Sequence, residues 1–180
     1  MTSQQVMHVG LDDTDSTKGG CTTYLAALLI EKLDEFHVNF IDYPGLIRLN
    51  PNVPWKTRGN GALCLRFRYD EMFENEIKEA AIALWEENSA IKEKGTDPGI
   101  VFLKEEKIPE ELKVFSRKTE TKIVTLKEAM ALVKKLKAEA LGFNSCRGII
   151  GALAAIGETL EDDYTYELIA YRAKENWGLK

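Results

Sequence analysis

Apolar positions recur along this chain sometimes every second residue and sometimes every third or fourth, and the two periods take turns. That alternation predicts strands and helices following one another. Residues 6–9 are a short apolar run, read as a strand. Leu25, Leu28, Leu29, Leu33 and Phe36 then fall at helical spacing and predict a helix over residues 22–36. Residues 38–43 read as a second strand closed by Pro44-Gly45, and residues 46–49 as a short third. Residues 62–69 alternate, with Leu63, Leu65 and Phe67 on one face and Cys64, Arg66 and Arg68 on the other. A helix over residues 71–92 would bury Phe73, Ile77, Ala80, Ala81 and Leu84 and end at Gly95, and T-D-P-G turns the chain into a strand at 100–103.

Pro109 suits the first turn of a shorter helix, whereas the charged residues 116–123 read as loop. Thr125 is placed to cap a helix whose stripe is Leu126, Ala129, Met130, Val133 and Leu136. Asn144 or Ser145 can cap the apolar run I-I-G-A-L-A-A-I-G, read as a short buried helix. Residues 165–172 alternate as a last strand. The pattern is that of an α/β protein, a central mixed β-sheet covered by helices. With no repeat and no linker, residues 1–180 are expected to form a single domain.

Composition changes this picture little. A hydrophobic content of 44% in 180 residues suffices for one well-buried core. No apolar run approaches a membrane span, and M-T-S-Q-Q lacks the basic flank and apolar core of a secretion signal. Three scattered cysteines, Cys21, Cys64 and Cys146, fit reduced thiols in a cytoplasmic protein, with no C-x-x-C pair for zinc. A net charge of −5 confines any nucleic-acid contact to a local basic patch.

The chemistry is concentrated at G-L-D-D-T-D-S-T-K-G-G-C-T-T, residues 10–23, between the first strand and the first helix. Asp12, Asp13 and Asp15 repel one another unless a cation or backbone donors compensate them. Their hard oxygens suit Mg²⁺, which takes one or two carboxylates and leaves other positions to water and phosphate. Ser16, Lys18, Gly19 and Gly20 allow a phosphate close approach, and the helix starting near Thr22 presents unpaired N–H groups to an anion. Taken singly, such aspartates are ordinary helix caps; three together with hydroxyls, lysine and paired glycines point to a metal–phosphate site. The spacing excludes an EF-hand, which needs Gly at position six and Glu at twelve, and no P-loop is present.

Two further loops carry candidates. Lys56, Arg58 and Asn60, between glycines and with Arg48 upstream, would neutralise phosphate charge, or form a solvated turn before a strand. Arg147-Gly148 would bind an anion, or its small residues would allow close packing, the reading preferred for Gly151. Trp55 reads more simply as core than as a stacking surface, and Asp97-Pro98-Gly99 as a turn. The cysteines, His8 and His37 read as structural, and Glu161-Asp162-Asp163 as a solvated loop.

Read together, D-D-T-D-S-x-x-G-x-C-T-T, L-I-R-L-N-P-N-V-P-W-K-T-R-G-N-G-A, D-P-G, C-R-G-I-I-G-A-L-A-A-I-G, Y-E-L-I-A-Y-R and E-N-W-G resemble the archaeal tRNA(Ile) 2-agmatinylcytidine synthetase family over nearly the whole chain. The resemblance implies a kinase-like domain, unrelated to P-loop kinases, that uses ATP and a divalent metal, Mg²⁺. Such a domain activates the C2 carbonyl of the wobble cytidine in the tRNA(Ile) anticodon loop, and agmatine then displaces the activated oxygen. It also implies metal binding by Asp12, Asp13 and Asp15 and autophosphorylation of the threonine after the motif cysteine, here Thr22. The family's downstream ferredoxin-like, OB-fold and zinc-ribbon domains are expected to be absent.

Two other readings compete. Asp13-Thr14-Asp15-Ser16-Thr17 fits the D-x-D-x-T signature of haloacid dehalogenase-like phosphatases, in which the first aspartate is a nucleophile and the second a general acid. Asp162-Asp163 precedes a strand where that family has an acidic pair after one. The other alternative is a non-catalytic nucleotide- or tRNA-binding module.

Overall fold

The computed structural model describes residues 4–161 and 163–169. Six strands form one sheet: β1 (Gln4–Asp12), β2 (Asn39–Phe40), β3 (Gly45–Arg48), β4 (Gly61–Asp70), β5 (Gly99–Leu103) and β6 (Glu139–Gly142). Their order is β2-β4-β1-β5-β6, with β3 also on β4, and each of these pairings is antiparallel. Five helices cover the sheet: α1 (Thr22–Asp34), α2 (Glu74–Asn88, after a 3-10 turn at Glu71–Phe73), α3 (Glu110–Thr121), α4 (Leu126–Lys135) and α5 (Gly148–Gly157).

The α/β expectation is met, but the sheet is antiparallel rather than mixed. The crossover from β4 through α2 to β5 straddles β1. The two outer strands therefore run in the same direction, and β1 lies between them in the opposite sense.

Period-two alternation in the central strands feeds two cores. Leu63, Leu65 and Phe67 of β4 join Val9, Leu11 and Phe102 under Leu25, Leu29, Ile77 and Trp85 of α1 and α2. Ala62 and Cys64 face the other way, with Val101 and Leu103, onto Leu112, Ala129, Leu153 and Ile156 of α3, α4 and α5. Each large apolar side chain so buried contributes about 1.5–3 kcal/mol. On this second face Arg66 donates to Ile156 O at 3.2 Å and Ala155 O at 3.4 Å. Its cation thus meets the carbonyls that end α5, a favourable position for positive charge.

Several elements depart from the pattern-based expectation. Residues 116–121 belong to α3 rather than a loop, because their polar groups are satisfied inside. Ser116 Oγ donates to Ala154 O at 2.8 Å and Thr119 Oγ1 to Ser116 O at 2.6 Å. β2 keeps only two residues, α2 ends at Asn88, and β6 has no counterpart in the sequence pattern. Met130 is exposed, while Ala129 and Val133 face the core. Thr125 does cap α4: its Oγ1 accepts from Glu128 N, and Glu128 Oε2 accepts from Thr125 N at 2.9 Å. Neither Asn144 nor Ser145 caps α5, which starts after Arg147. Asn144, at φ 57°, instead donates to Thr96 O at 2.7 Å and Ile91 O at 3.0 Å. Of the anticipated last strand, residues 165–169 form none and residues 170–172 lie outside the described residues.

Candidate functional site

β1, the central strand, delivers Asp12 at its C-terminal end, where the N-terminal turns of α5 cross it. Gly151 makes that crossing possible: a Cβ there would stand 1.9 Å from Asp12 Oδ2. The carboxylate is thereby pressed against the end of a helix whose dipole favours negative charge. Asp12 Oδ1 accepts the Asp13 N–H at 2.7 Å, and Asp13 takes a positive φ of 54°. Asp13 Oδ2 in turn accepts the Asp97 N–H at 3.0 Å.

Around this pair opens a cavity of about 300 Å³. Asp12, Asp13, Asp15 and Thr22 line one side, Lys56 and Asn60 another, and Arg147 and Gly148 a third. Three separate sequence stretches therefore converge on one space. Its remaining wall is largely apolar, with Leu49, Val53 and Ile150 beside Ile123, Val124 and Leu126, where α3 passes into α4. Trp55 also lines it, half exposed, with the Arg147 guanidinium 5.2 Å from its ring centroid, a cation–π arrangement. The cavity thus combines acids, cations and a greasy wall, as a metal-bound polyphosphate carrying a flat base would require.

Not every anticipated residue lines it. Residues 16–19 close a tight turn of their own, Ser16 N to Gly19 O at 2.8 Å and back at 3.2 Å. Lys18 extends from that turn to Glu93 at 2.8 Å. None of Ser16, Lys18, Gly19 and Gly20 reaches the cavity wall. Arg58 acts at the rim: its Nε donates to Asp15 Oδ2 at 3.0 Å and its Nη2 to Gly20 O at 2.7 Å, joining the two loops. Thr22 is buried, and its Oγ1 accepts the Thr14 hydroxyl at 2.9 Å. Asn60 Nδ2 donates to Asn50 O at 2.8 Å, which holds its loop in place.

The electrostatics single out the two acids at the cavity floor. Burial, with the neighbouring Asp13 and Asp15 charges, pushes Asp12 well above the usual carboxylate range. Burial also carries Asp13 up to about 7, against the opposing pull of its Asp97 N–H bond and of Arg147. Among the described residues no three His, Cys, Asp or Glu side chains converge as a ready-made metal-ligand set. Asp12 and Asp13 nevertheless fit Mg²⁺, because that ion needs only one or two carboxylates beside water and phosphate oxygens. Asp15 is the acid already matched by a cation, Arg58.

Two parts of the site are hidden from sequence reasoning. The wall at residues 122–126 spans a stretch that reads partly as loop and partly as helix start. Asp97 has the sequence context of a turn residue, yet its carboxylate and main chain bind two neighbouring loops, at Asp13 and at Ser145–Gly148.

The same chain segments recur in known proteins. The family described as the TiaS TCKD domain matches residues 8–145, more than half of the chain. The chain belongs to the TiaS family. A second TiaS domain, the FLD domain, matches residues 146–180. TiaS of Pyrococcus horikoshii, a 2-agmatinylcytidine synthetase acting on an isoleucine tRNA, is 49% identical over 95% of this chain. The synthetase of the same name from Methanocaldococcus jannaschii is 44% identical over 97%. The chain spans 40% and 42% of the lengths of those TiaS relatives. Among solved structures, the complex of TiaS with its isoleucine tRNA and ATP superposes with a TM-score of 0.88 at 41% identity, covering 97% of this chain and 41% of that one. The complex of TiaS with the same tRNA, AMPCPP and agmatine does so at 0.86 and 38%, covering 97% and 41%. Nothing in these TiaS matches supports the phosphatase or the non-catalytic module. Among the described residues no helix is long and apolar enough to cross a membrane.

Proposed function

We propose that this chain carries the ATP-using chemistry of 2-agmatinylcytidine synthesis on an isoleucine tRNA. ATP in the cavity activates the C2 carbonyl of the wobble cytidine, and agmatine displaces the activated oxygen. The observation that carries this reading is the convergence of Asp12, Asp13, Thr22, Lys56 and Arg147 on one cavity. The relatives' names and their complexes with an isoleucine tRNA, ATP and agmatine support the same partners here. The chemistry lies within residues 1–180 of a cytoplasmic protein.

Asp12 and Asp13 would hold Mg²⁺, which when bound neutralises phosphate charge. Arg147 and Lys56 face the triphosphate and stabilise negative charge as phosphorus changes partners. Ser16, Lys18, Gly19 and Gly20 support the phosphate side through the Gly20–Arg58–Asp15 bridge rather than by lining the cavity. The apolar wall of Leu49, Val53 and Ile150 seats a base and keeps water away from the reacting end. A wobble base is accessible to such a site because it sits in a single-stranded loop and can be splayed out.

Thr22 is the autophosphorylated residue in this reading. Its Oγ1 accepts the Thr14 hydroxyl, and the residue lines the cavity. Incubation with γ-labelled ATP and Mg²⁺ is expected to label Thr22, and Thr22→Ala to abolish the label. Equal labelling of the variant would remove Thr22 from the mechanism.

A further inference from the structure

Asp97 belongs to a turn by its sequence and lies outside the cavity wall, yet it joins the acidic loop to the loop that carries Arg147. It is only 6% exposed, and a carboxylate so placed needs full compensation. Oδ1 accepts the Ser145 N–H at 2.8 Å, and Oδ2 pairs with the Arg147 guanidinium. The main chain of the same residue works in two further directions. Its N–H donates to Asp13 Oδ2 at 3.0 Å, and its carbonyl accepts the Gly148 N–H at 2.8 Å.

The turn holding Asp97 is itself fixed on both sides. Thr96 Oγ1 donates to Asp15 O at 2.9 Å, and Thr96 O accepts from Asn144 Nδ2 at 2.7 Å. Behind it Gly148 leaves no slack, since a Cβ there would stand 2.7 Å from Asp97 O and 2.4 Å from Gly99 N. Asp97 is therefore a rigid post between the acidic loop and the loop that carries Arg147. The Arg147 side chain is long and rotatable, and two contacts restrain it: the Asp97 carboxylate behind and the Trp55 ring in front.

We propose that Asp97 is a positioning residue that sets the Arg147 guanidinium at the anion end of the cavity while holding Asp13 in register with it. This rests on the reading that the cavity takes a triphosphate. Asp97 touches no substrate in this role; it acts through Arg147 and Asp13. A planar, fixed guanidinium loses less freedom when it engages a phosphate than a mobile one, which is where the gain arises.

An amide at position 97 preserves shape but not function. Turned to accept from Ser145 N, it presents N–H donors to a guanidinium that has only donors of its own. Asp97→Asn should therefore free Arg147 without emptying space in the core.

The test is a double-mutant cycle on the 180-residue chain, reading Mg²⁺·ATP affinity by titration calorimetry, with the melting temperature measured for each variant. Asp97→Asn is expected to weaken ATP binding about tenfold in the wild-type background and less than about twofold in the Arg147→Ala background. Asp97→Glu should not rescue, because a longer side chain on the same fixed main chain overshoots the space between the Ser145 N–H and the Arg147 guanidinium. An equal loss in both backgrounds would overturn the proposal and leave Asp97 a purely structural acid. A crystal structure of Asp97→Asn provides a second readout that needs no nucleotide: Arg147 is expected off the Trp55 ring, and Arg147 unmoved would contradict the proposal. If the wild-type chain binds no ATP, the triphosphate reading itself fails, and the crystal structure still decides whether Asp97 positions Arg147.

Discussion

Two clusters of charge, one around Glu74 and one at the cavity, are solved in opposite ways. On the α2 side, Lys78 Nζ donates to Glu74 at 2.6 Å and Glu139 at 2.7 Å, Lys104 adds a second cation to Glu74 at 2.8 Å, and Tyr69 donates to Glu74 at 3.0 Å. Burial alone would raise the Glu74 carboxyl, but these donors bring it down to about 2. At the cavity, Asp12 and Asp13 sit side by side and Asp13 is raised to about 7. One cluster carries its own counter-charge and is finished when the chain folds. The other is short of positive charge, and that shortfall distinguishes a site awaiting a cationic ligand from a structural ion network.

The contrast is broken most severely by removing an acid at the cavity. Asp13→Asn is expected to lower Thr22 labelling by about a thousandfold, the upper range for losing a preorganised electrostatic group. The apo protein should be no less stable, since one of two repelling charges is gone. Labelling assays and urea melts on the same preparation check both halves. Lys78→Ala should do the reverse. It breaks a pair whose lysine is only 11% exposed while Lys104 and Tyr69 still hold Glu74, costing about 2 kcal/mol in urea unfolding, with labelling per folded molecule unchanged.

Acidity separates the clusters next. The Asp13 carboxyl is held above its ordinary value of 3.8, so the folded state binds more protons than the unfolded one between 3.8 and about 7. Without metal, stability should therefore fall as pH rises through that window, with the raised Asp12 carboxyl acting in the same sense. The Asp13→Asn variant should keep only the part of this slope that Asp12 contributes. Glu74, lowered from 4.5 to about 2, acts with the opposite sign: its contribution is complete above 4.5 and is lost as pH falls toward 2. Melting temperatures from about pH 3 to about pH 8 in chelator, for wild type and Asp13→Asn, read both effects.

The sequence pattern anticipates some of this and not the rest, for reasons that can be named. The α1 stripe of Leu25, Leu29 and Leu33 and the β4 alternation are readable because burial there follows one helix or strand face. The second half of α3 is not, because Ser116 and Thr119 are polar residues buried through bonds to carbonyls that only the folded chain brings near. β6 is four residues long and half-exposed, too short for a period to show. Asp12, Asp13, Thr22, Lys56 and Arg147 are legible as chemistry. Lys18 and the paired glycines fall to the same site by closeness in sequence, but the Ser16–Gly19 turn carries them aside. Asp97 shows in the sequence only as the start of the D-P-G motif and reads as a turn, since its role depends on a loop about fifty residues further on, far beyond the reach of any local turn rule.

The smaller effects sharpen the comparison at the rim. Arg58→Ala should change stability by less than about 1 kcal/mol, because its pair with Asp15 is solvent-exposed on the arginine side. Its effect on labelling should be the larger one, as Asp15 loses its partner and the two loops separate. Lys18→Ala, which removes only a surface pair with Glu93, should stay within about 0.5 kcal/mol in unfolding.

The most direct measurement is calorimetric titration of ATP at saturating Mg²⁺ into the wild-type chain, Asp12→Asn and Asp13→Asn, repeated in chelator. The account predicts binding by wild type that depends on Mg²⁺, and loss of that metal dependence in both variants. Equal, metal-dependent affinity in all three proteins would contradict it.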